Sequence, residues 1–139
     1  MTAPRISILL PCRNAAGHVP AALDSLLAQT LGDFEILAVD DGSTDHTPDV
    51  LERFARNDPR IRVLRREHAG IANALNAGLE LARGEYVARM DADDVCLPER
   101  LAEQAALLDA EPSLGLASCL VRFGGDPEAS PGFHLYIQW

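Results

Sequence analysis

Phe34-Glu35-Ile36-Leu37-Ala38-Val39-Asp40-Asp41-Gly42-Ser43-Thr44-Asp45 is the stretch on which the fold turns. Its first half is a mostly apolar run that reads as a buried strand, and its second half breaks into an acidic turn. Thr47 then stands as a helix N-cap with Pro48 in the first helical position, opening a helix through about Asn57. Strand, turn and helix in that order make half of a βαβ unit.

The same unit recurs on both sides. Upstream, Ile6 to Leu10 reads as a strand, and Val19 to Gln29 puts Val19, Leu23, Leu26 and Leu27 on one helical face. Downstream, Ile61 to Leu64 is a third strand and Ile71 to Ala82 a third helix, with Gly84 as its stop. Tyr86 to Met90 is a fourth strand running straight into Asp91-Ala92-Asp93-Asp94. Pro98 opens a fourth helix, Glu99 to about Asp109, and Leu114 to Val121 is expected to be a fifth strand. This alternation predicts an α/β fold, a mostly parallel sheet with helices on both faces.

Residues 1–122 form one domain in this reading, and 123–139 begin something else. After Phe123 the pattern dissolves into the turns Gly124-Gly125-Asp126-Pro127 and Ser130-Pro131-Gly132. The ending His134-Leu135-Tyr136-Ile137-Gln138-Trp139 is apolar and aromatic where termini tend to be polar, so the expectation is the front part of a longer protein.

Composition narrows the function. The 139 residues are 47% hydrophobic and 24% charged, which suits one globular domain. The net charge of −9 opposes non-specific nucleic-acid binding. All 12 basic residues are Arg. Without Lys there is no P-loop, no Schiff-base chemistry, no kinase strand lysine and no receiver-type phosphorelay. Cys12, Cys96 and Cys119 are odd in number and widely spaced, which predicts small buried hydrophobes in a reducing, cytoplasmic compartment. Abundant Ala and Arg suggest a GC-rich bacterial genome.

Ligands of open parallel sheets bind beyond the carboxyl ends of the strands. There the sequence sets Pro11-Cys12-Arg13-Asn14 after the first strand, Asp40 to Asp45 after the second and Asp91 to Asp94 after the fourth. Crowded carboxylates repel unless a cation or hydrogen-bond donors compensate, and oxygen-ligated Mg²⁺ or Mn²⁺ is the simplest compensation. Asp41 could instead accept hydrogen bonds from a nucleobase or ribose, with no metal. Taken singly each piece has a plain reading: a turn and helix cap for Asp-Gly-Ser-Thr-Asp, a solvated loop for Asp-x-Asp, and turn formers for Asn14, Asn73 and Asn76. Arg65, Arg66 and Arg89 read as surface charges, and His18, His46, His68 and His134 share no metal-ligand spacing. A phosphatase of the Asp-x-Asp nucleophile type needs its pair after the first strand, whereas here the pair follows the fourth.

From Ile6 to Leu108 the chain resembles the family 2 glycosyltransferases, enzymes of the GT-A fold that use nucleotide-sugars. The resemblance rests on Leu10 to Asn14, Leu26 to Thr30, Val39 to Asp45, Gly70 to Asn76, Ala82 to Tyr86, Met90 to Asp94 and Pro98 to Leu101, in that order. It implies a GT-A, Rossmann-like fold cut off before the acceptor-binding part. Pro11, Arg13, Asn14, Asp40, Asp41, Asp91 and Ala92 would then line the nucleotide-sugar site, with Asp41 on the base. Asp93 and Asp91 would hold Mn²⁺ or Mg²⁺, with Asp94 as the alternative ligand. The donor implied is a UDP-sugar and the acceptor a carbohydrate or lipid-linked hydroxyl, in polysaccharide biosynthesis; parts outside this chain could bring it to the inner face of a membrane.

Two departures stand out. The aromatic residue that the family usually carries before the first-loop Asn is Arg13 here. The family's general base lies well downstream, and nothing after Val121 matches it; Asp126 and Glu128 sit in a turn. The expectation is therefore the donor-binding part of an inverting transferase, whose base lies beyond residue 139. Two alternatives stay open: a GT-A-like nucleotidyltransferase, disfavoured by a first loop with one Arg, and a non-catalytic module that retained the fold.

Overall fold

The computed structural model describes residues 3–122 and residue 124. Among the described residues four strands and four helices alternate. They are β1 (Ile6–Cys12), α1 (Val19–Leu27), β2 (Phe34–Asp41), α2 (Thr47–Asn57), β3 (Ile61–Arg66), α3 (Ile71–Leu81), β4 (Tyr86–Arg89) and α4 (Arg100–Ala110). All pairings are parallel and the strand order is β3-β2-β1-β4. Every strand therefore ends at the same edge of the sheet, the carboxyl edge. There β1 lies between the acidic ends of β2 and β4.

Side-chain alternation divides β1 and β2 between two layers. Ile6, Ile8, Leu10 and Cys12 join Phe34, Ile36 and Ala38 in the main core, against Val19, Ala22, Leu23 and Leu26 of α1, Leu51 of α2 and Leu101 of α4. The opposite face meets α3 so closely that a Cβ at Gly78 would stand 3.0 Å from Leu9 Cδ2 and 3.3 Å from Val39 Cγ2. Burial on both faces is why β2 is buried at all eight positions and tolerates so few polar residues. The buried stripe of α1, Val19, Ala22, Leu23 and Leu26, has the spacing of one helical face.

Several expected boundaries move, each for a local reason. Helix α1 stops at Leu27 because Gln29 is spent elsewhere. Its Oε1 accepts the Leu101 N–H (3.0 Å) and its Nε2 donates to the Leu97 carbonyl (2.7 Å), pinning the start of α4. Thr47 is the first residue of α2, not its N-cap: its hydroxyl accepts the Ala15 N–H (2.8 Å), while Asp45 accepts the Thr47 N–H (2.9 Å). Gly84 is not the stop of α3, whose C-cap is Ala82. A Cβ at residue 84 would stand 2.5 Å from the Ser7 nitrogen, so glycine lets this segment press on the backbone of β1.

The fifth strand is absent: Leu114 to Val121 pairs with nothing among the described residues. Leu116 is 79% exposed and Leu120 fully so. An apolar run becomes a strand only where a neighbour completes its ladder and a layer covers its face. Of the three cysteines expected to be buried, only Cys12 is; Cys96 is half-buried and Cys119 exposed. Burial, then the nearby Asp40 charge, pushes the Cys12 thiol up to about 12, so it packs as a hydrophobe and not as a nucleophile.

Candidate functional site

Three loops meet at the carboxyl edge, and the acidic turn after β2 ties them together. Asn14 takes up a left-handed conformation (φ 48°) after β1, which a short polar side chain tolerates. Its Oδ1 accepts the Thr44 N–H at 2.8 Å, and its own N–H donates to Ser43 Oγ at 2.9 Å. The Ala15 N–H donates to Thr47 Oγ1 and the Ala16 N–H to Asp45 Oδ2 (3.2 Å). Ser43, Thr44, Asp45 and Thr47 thus clamp the β1–α1 loop. Much of the string Asp-Gly-Ser-Thr-Asp is scaffold for that neighbouring loop.

The second tie runs from β2 to the loop before α3. Asp41 Oδ1 accepts the Ala69 N–H at 2.8 Å; Oδ2 accepts the Gly70 N–H at 3.0 Å and His68 Nδ1 at 2.7 Å. These donors, the Ala69 N–H foremost, hold the Asp41 carboxyl below the usual carboxylate range against the effect of burial. Three of about four acceptor positions of that carboxylate are therefore taken within the chain. Gly42 (φ 70°) makes the crossing: a Cβ there would lie 2.7 Å from the His68 nitrogen. Asp40 is buried and, among the described residues, accepts one hydrogen bond, from the Ser43 N–H at 3.3 Å.

The acidic loop after β4 is built differently. The Asp94 N–H closes a turn onto the Asp91 carbonyl (3.2 Å), and Ala92 is buried in the main core. Asp91 is paired with Arg89, whose Nε lies 3.1 Å from Oδ1, a half-exposed contact of small energetic weight. The carboxylates of Asp93 and Asp94 have no donor among the described residues. Partial burial, with the charges of Asp93 and Asp91, raises the Asp94 carboxyl above its ordinary range. An all-oxygen donor set whose members repel one another fits a hard divalent cation such as Mg²⁺ or Mn²⁺. Among the described residues no three His, Cys, Asp or Glu side chains are grouped to hold a metal by themselves. Such a cation would take its remaining oxygens from water or a ligand, as Mg²⁺ commonly does with phosphates.

Of the residues singled out in the sequence, Asn14, Asp40 and Asp41 come together with the clamp. Pro11 is half-buried at the end of β1, and Arg13 is exposed beside Asn14. Asp91, Asp93 and Asp94 form the separate loop after β4, across β1 from Asp40 and Asp41. His68 is the residue that spacing arguments missed. It belongs to no ligand pattern, and the signal that could have found it is its place in the loop leaving β3 at the carboxyl edge. A cavity of about 60 Å³ lies elsewhere, between the sheet and α3; its lining by Leu37, Val39, Leu64 and Gly78 makes it a packing gap.

Comparison with known proteins agrees with this geometry. The profile of Glycosyl transferase family 2 matches residues 7–136. A PGL/p-HBAD biosynthesis glycosyltransferase of Mycobacterium bovis is 42% identical over 116 residues, 81% of this chain and 45% of its own length. A mannosyltransferase of Pyrobaculum calidifontis, solved with GDP-Man and Mn²⁺, superposes with a TM-score of 0.79 at 33% identity, over 88% of this chain and 37% of that one. TarS 1–349 of S. aureus, solved with UDP, gives 0.72 at 27%, over 86% and 40%. The chain spans from 10% to 45% of the length of the curated relatives it matches. With the parallel sheet, the acidic strand ends and the profile all in agreement, the chain belongs to glycosyltransferase family 2 and has the GT-A fold.

Proposed function

We propose that this chain is the donor-binding part of an inverting glycosyltransferase, which transfers a sugar from a nucleoside diphosphate sugar to an acceptor hydroxyl. One observation carries the proposal: the carboxylates of Asp93 and Asp94, in the loop after a parallel strand, have neither a hydrogen-bond donor nor an ion-pair partner among the described residues. The structures solved with GDP-Man and Mn²⁺ or with UDP support the choice of ligand. Pro11, Arg13 and Asn14 at the end of β1 and Asp40 and Asp41 at the end of β2 would line the nucleotide's side of the edge. The clamp between their loops holds that lining in place before a ligand arrives, which lowers the ordering cost of binding.

In the transfer, the acceptor oxygen bonds to the anomeric carbon as the bond to the diphosphate oxygen breaks, and negative charge grows on the departing diphosphate. A divalent cation at Asp93, with Asp91 or Asp94 beside it, would supply charge neutralisation there. The chain's own share is to hold the donor and position that cation. A UDP-sugar is the proposed donor, and a carbohydrate or lipid-linked hydroxyl in bacterial polysaccharide synthesis the proposed acceptor. Among the described residues no helix is long and apolar enough to cross a membrane.

Calorimetric titration with UDP and with GDP, each in Mn²⁺ and in excess chelator, tests the proposal. Saturable binding of either nucleotide that needs the metal is expected. Verified folded protein that binds neither under any condition would overturn it.

A further inference from the structure

The loop from Asp93 to Glu99 is neither helix nor strand and is mostly exposed, so its shape depends on what ties it down. Upstream it hangs from β4, where the Met90 N–H donates to the Leu9 carbonyl (3.1 Å) and Ala92 lies in the core. From Val95 to Pro98, among the described residues, its ties to other elements all run to the end of α1. Ser25 Oγ accepts the Cys96 N–H (3.2 Å), and the Thr30 N–H donates to the Pro98 carbonyl (2.9 Å). Gln29, buried just past the helix, donates from Nε2 to the Leu97 carbonyl (2.7 Å) and accepts the Leu101 N–H at Oε1 (3.0 Å). That N–H belongs to the first turn of α4, where it has no partner in its own helix and Glu99 supplies no cap. One buried amide thus holds both the end of the acidic loop and the start of the next helix.

Resting on the proposed donor site, we infer that Gln29 is a positioning residue for the metal: from the end of α1 it sets where the loop carrying Asp93 and Asp94 stands. It acts through that loop and not as a ligand, since both ends of its amide are already engaged. Neighbouring carboxylates without donors repel one another, and an exposed loop that carries them opens unless something outside it holds it. The same helix begins at the clamped first loop. The Ala15 carbonyl accepts the Val19 N–H (2.9 Å), and the Ala15 N–H donates to Thr47 Oγ1 (2.8 Å). Nine residues of α1, about 13.5 Å of helix, therefore link the nucleotide side of the edge to the metal side as one strut. Mg²⁺ and its like tolerate little error in ligand geometry, so a cation shared between this loop and a diphosphate depends on that spacing.

The test is titration with Mn²⁺ at a fixed, high UDP concentration, read by the EPR signal of the free ion at a temperature where every variant is folded. Gln29→Leu keeps the bulk and removes both amide bonds. It is expected to need about tenfold more Mn²⁺ for half-saturation, the low end for a group that supports a metal ligand. Ser25→Ala removes the acceptor of the Cys96 N–H and disturbs the fold less. It is expected to need about threefold more, the worth of one hydrogen bond. Gly84→Ala is the control, because it strains the amino end of β1 and lies outside the strut. It is expected to melt at a lower temperature and to keep its Mn²⁺ requirement within about twofold of the parent.

A parental Mn²⁺ requirement in both Gln29→Leu and Ser25→Ala, with lowered melting temperatures, would overturn the inference and leave Gln29 a brace of the fold alone. So would an equal loss in Gly84→Ala, since the effect would then follow stability and not the loop. In both cases the parent still binds, and the proposed donor site stands. A parent chain that takes up no Mn²⁺ with UDP would sink that site itself.

Discussion

Glu35 at the amino end of the sheet and Asp94 in the loop after β4 are two carboxylates that the fold treats in opposite ways. At the amino end Glu35, 2% exposed, sits next to Ser7 in the β1–β2 register. It accepts Ser7 Oγ (2.8 Å), Arg62 (3.0 Å), and the backbone and guanidinium of Arg83 (2.7 Å at the closest). Burial opposes ionisation there, but the bonds from Arg83, Ser7 and Arg62 outweigh it and bring the Glu35 carboxyl down to about 2. At the carboxyl end Asp94 moves the other way, raised by partial burial and by Asp93 and Asp91. A charge neutralised by the chain itself holds the fold together. A charge left for something else to neutralise costs the protein some stability, and on the proposed function it is a ligand that neutralises it.

That contrast can be broken most severely at Glu35. Glu35→Ala takes their acceptor from the Ser7 hydroxyl and the Arg83 guanidinium, and leaves Arg62 with the Leu81 carbonyl alone. It should cost about 3 kcal/mol, the low end for a broken buried pair because both arginines can turn to solvent. A melting temperature lower by about 10 °C is expected from thermal unfolding. A drop of a degree or two would mean that the amino-end network is ornamental.

Asp93→Ala is the mirror experiment. It should weaken metal-dependent UDP binding about a hundredfold, near 2.7 kcal/mol. Ligand-free stability should stay within about 0.5 kcal/mol of the parent, as for other exposed positions. A large loss of stability would place Asp93 with Glu35 among the residues that build the fold.

Gly84→Ala probes the contact that brings the segment before β4 onto β1. The added Cβ would lie 2.5 Å from the Ser7 nitrogen and 2.8 Å from the Ile6 carbonyl carbon, backbone atoms that cannot step aside. A loss of about 2 kcal/mol is expected in denaturant titration, against less than about 0.5 kcal/mol for Gly17→Ala, where the new methyl meets open space.

The smallest effect is the most diagnostic in sign. Glu35 ionises near 2 in the fold and near 4.5 as an ordinary side chain, so its contribution is present above about pH 4.5 and fades as pH falls toward 2. Asp94 is raised in the fold, so its charge works against folding once pH exceeds its ordinary range, and neutral protein should gain slightly from Asp94→Asn. A gain of a few tenths of a kcal/mol at pH 7 is expected from paired melting curves, vanishing in acid. Glu35→Gln should show the reverse, a deficit at pH 7 that shrinks below pH 4.

How much of this was legible in the sequence follows the same division. Strand β2 could be read because both its faces are buried, which forces an apolar run whatever lies around it. The acidic strand ends could be read because each acidic string breaks an apolar run at the turn that follows a strand. Leu114 to Val121 misled because the same kind of apolar run needs a partner to become a strand, and a partner is not a property of the run. The Ser7–Glu35–Arg83 network and the clamp between Asn14 and Thr44 were illegible for another reason. They join residues 28 to 76 positions apart, and no periodicity encodes which side chains the sheet will bring side by side. His68 falls in this class too: only the close crossing at Gly42 reveals what it holds and what holds it.

The central claim is that Asp93 and Asp94, without hydrogen-bond partners among the described residues, serve a cation and a diphosphate. The measurement closest to it is the melting temperature of the parent chain and of Asp93→Ala with UDP, in Mn²⁺ and in excess chelator. The account predicts that UDP with Mn²⁺ raises the melting point of the parent, as a ligand of the native state must. It also predicts no rise with UDP in chelator, and in Asp93→Ala with Mn²⁺ a rise that needs about a hundredfold more UDP to match the parent. An equal rise in parent and variant, or a rise in the parent that chelator leaves intact, would contradict it.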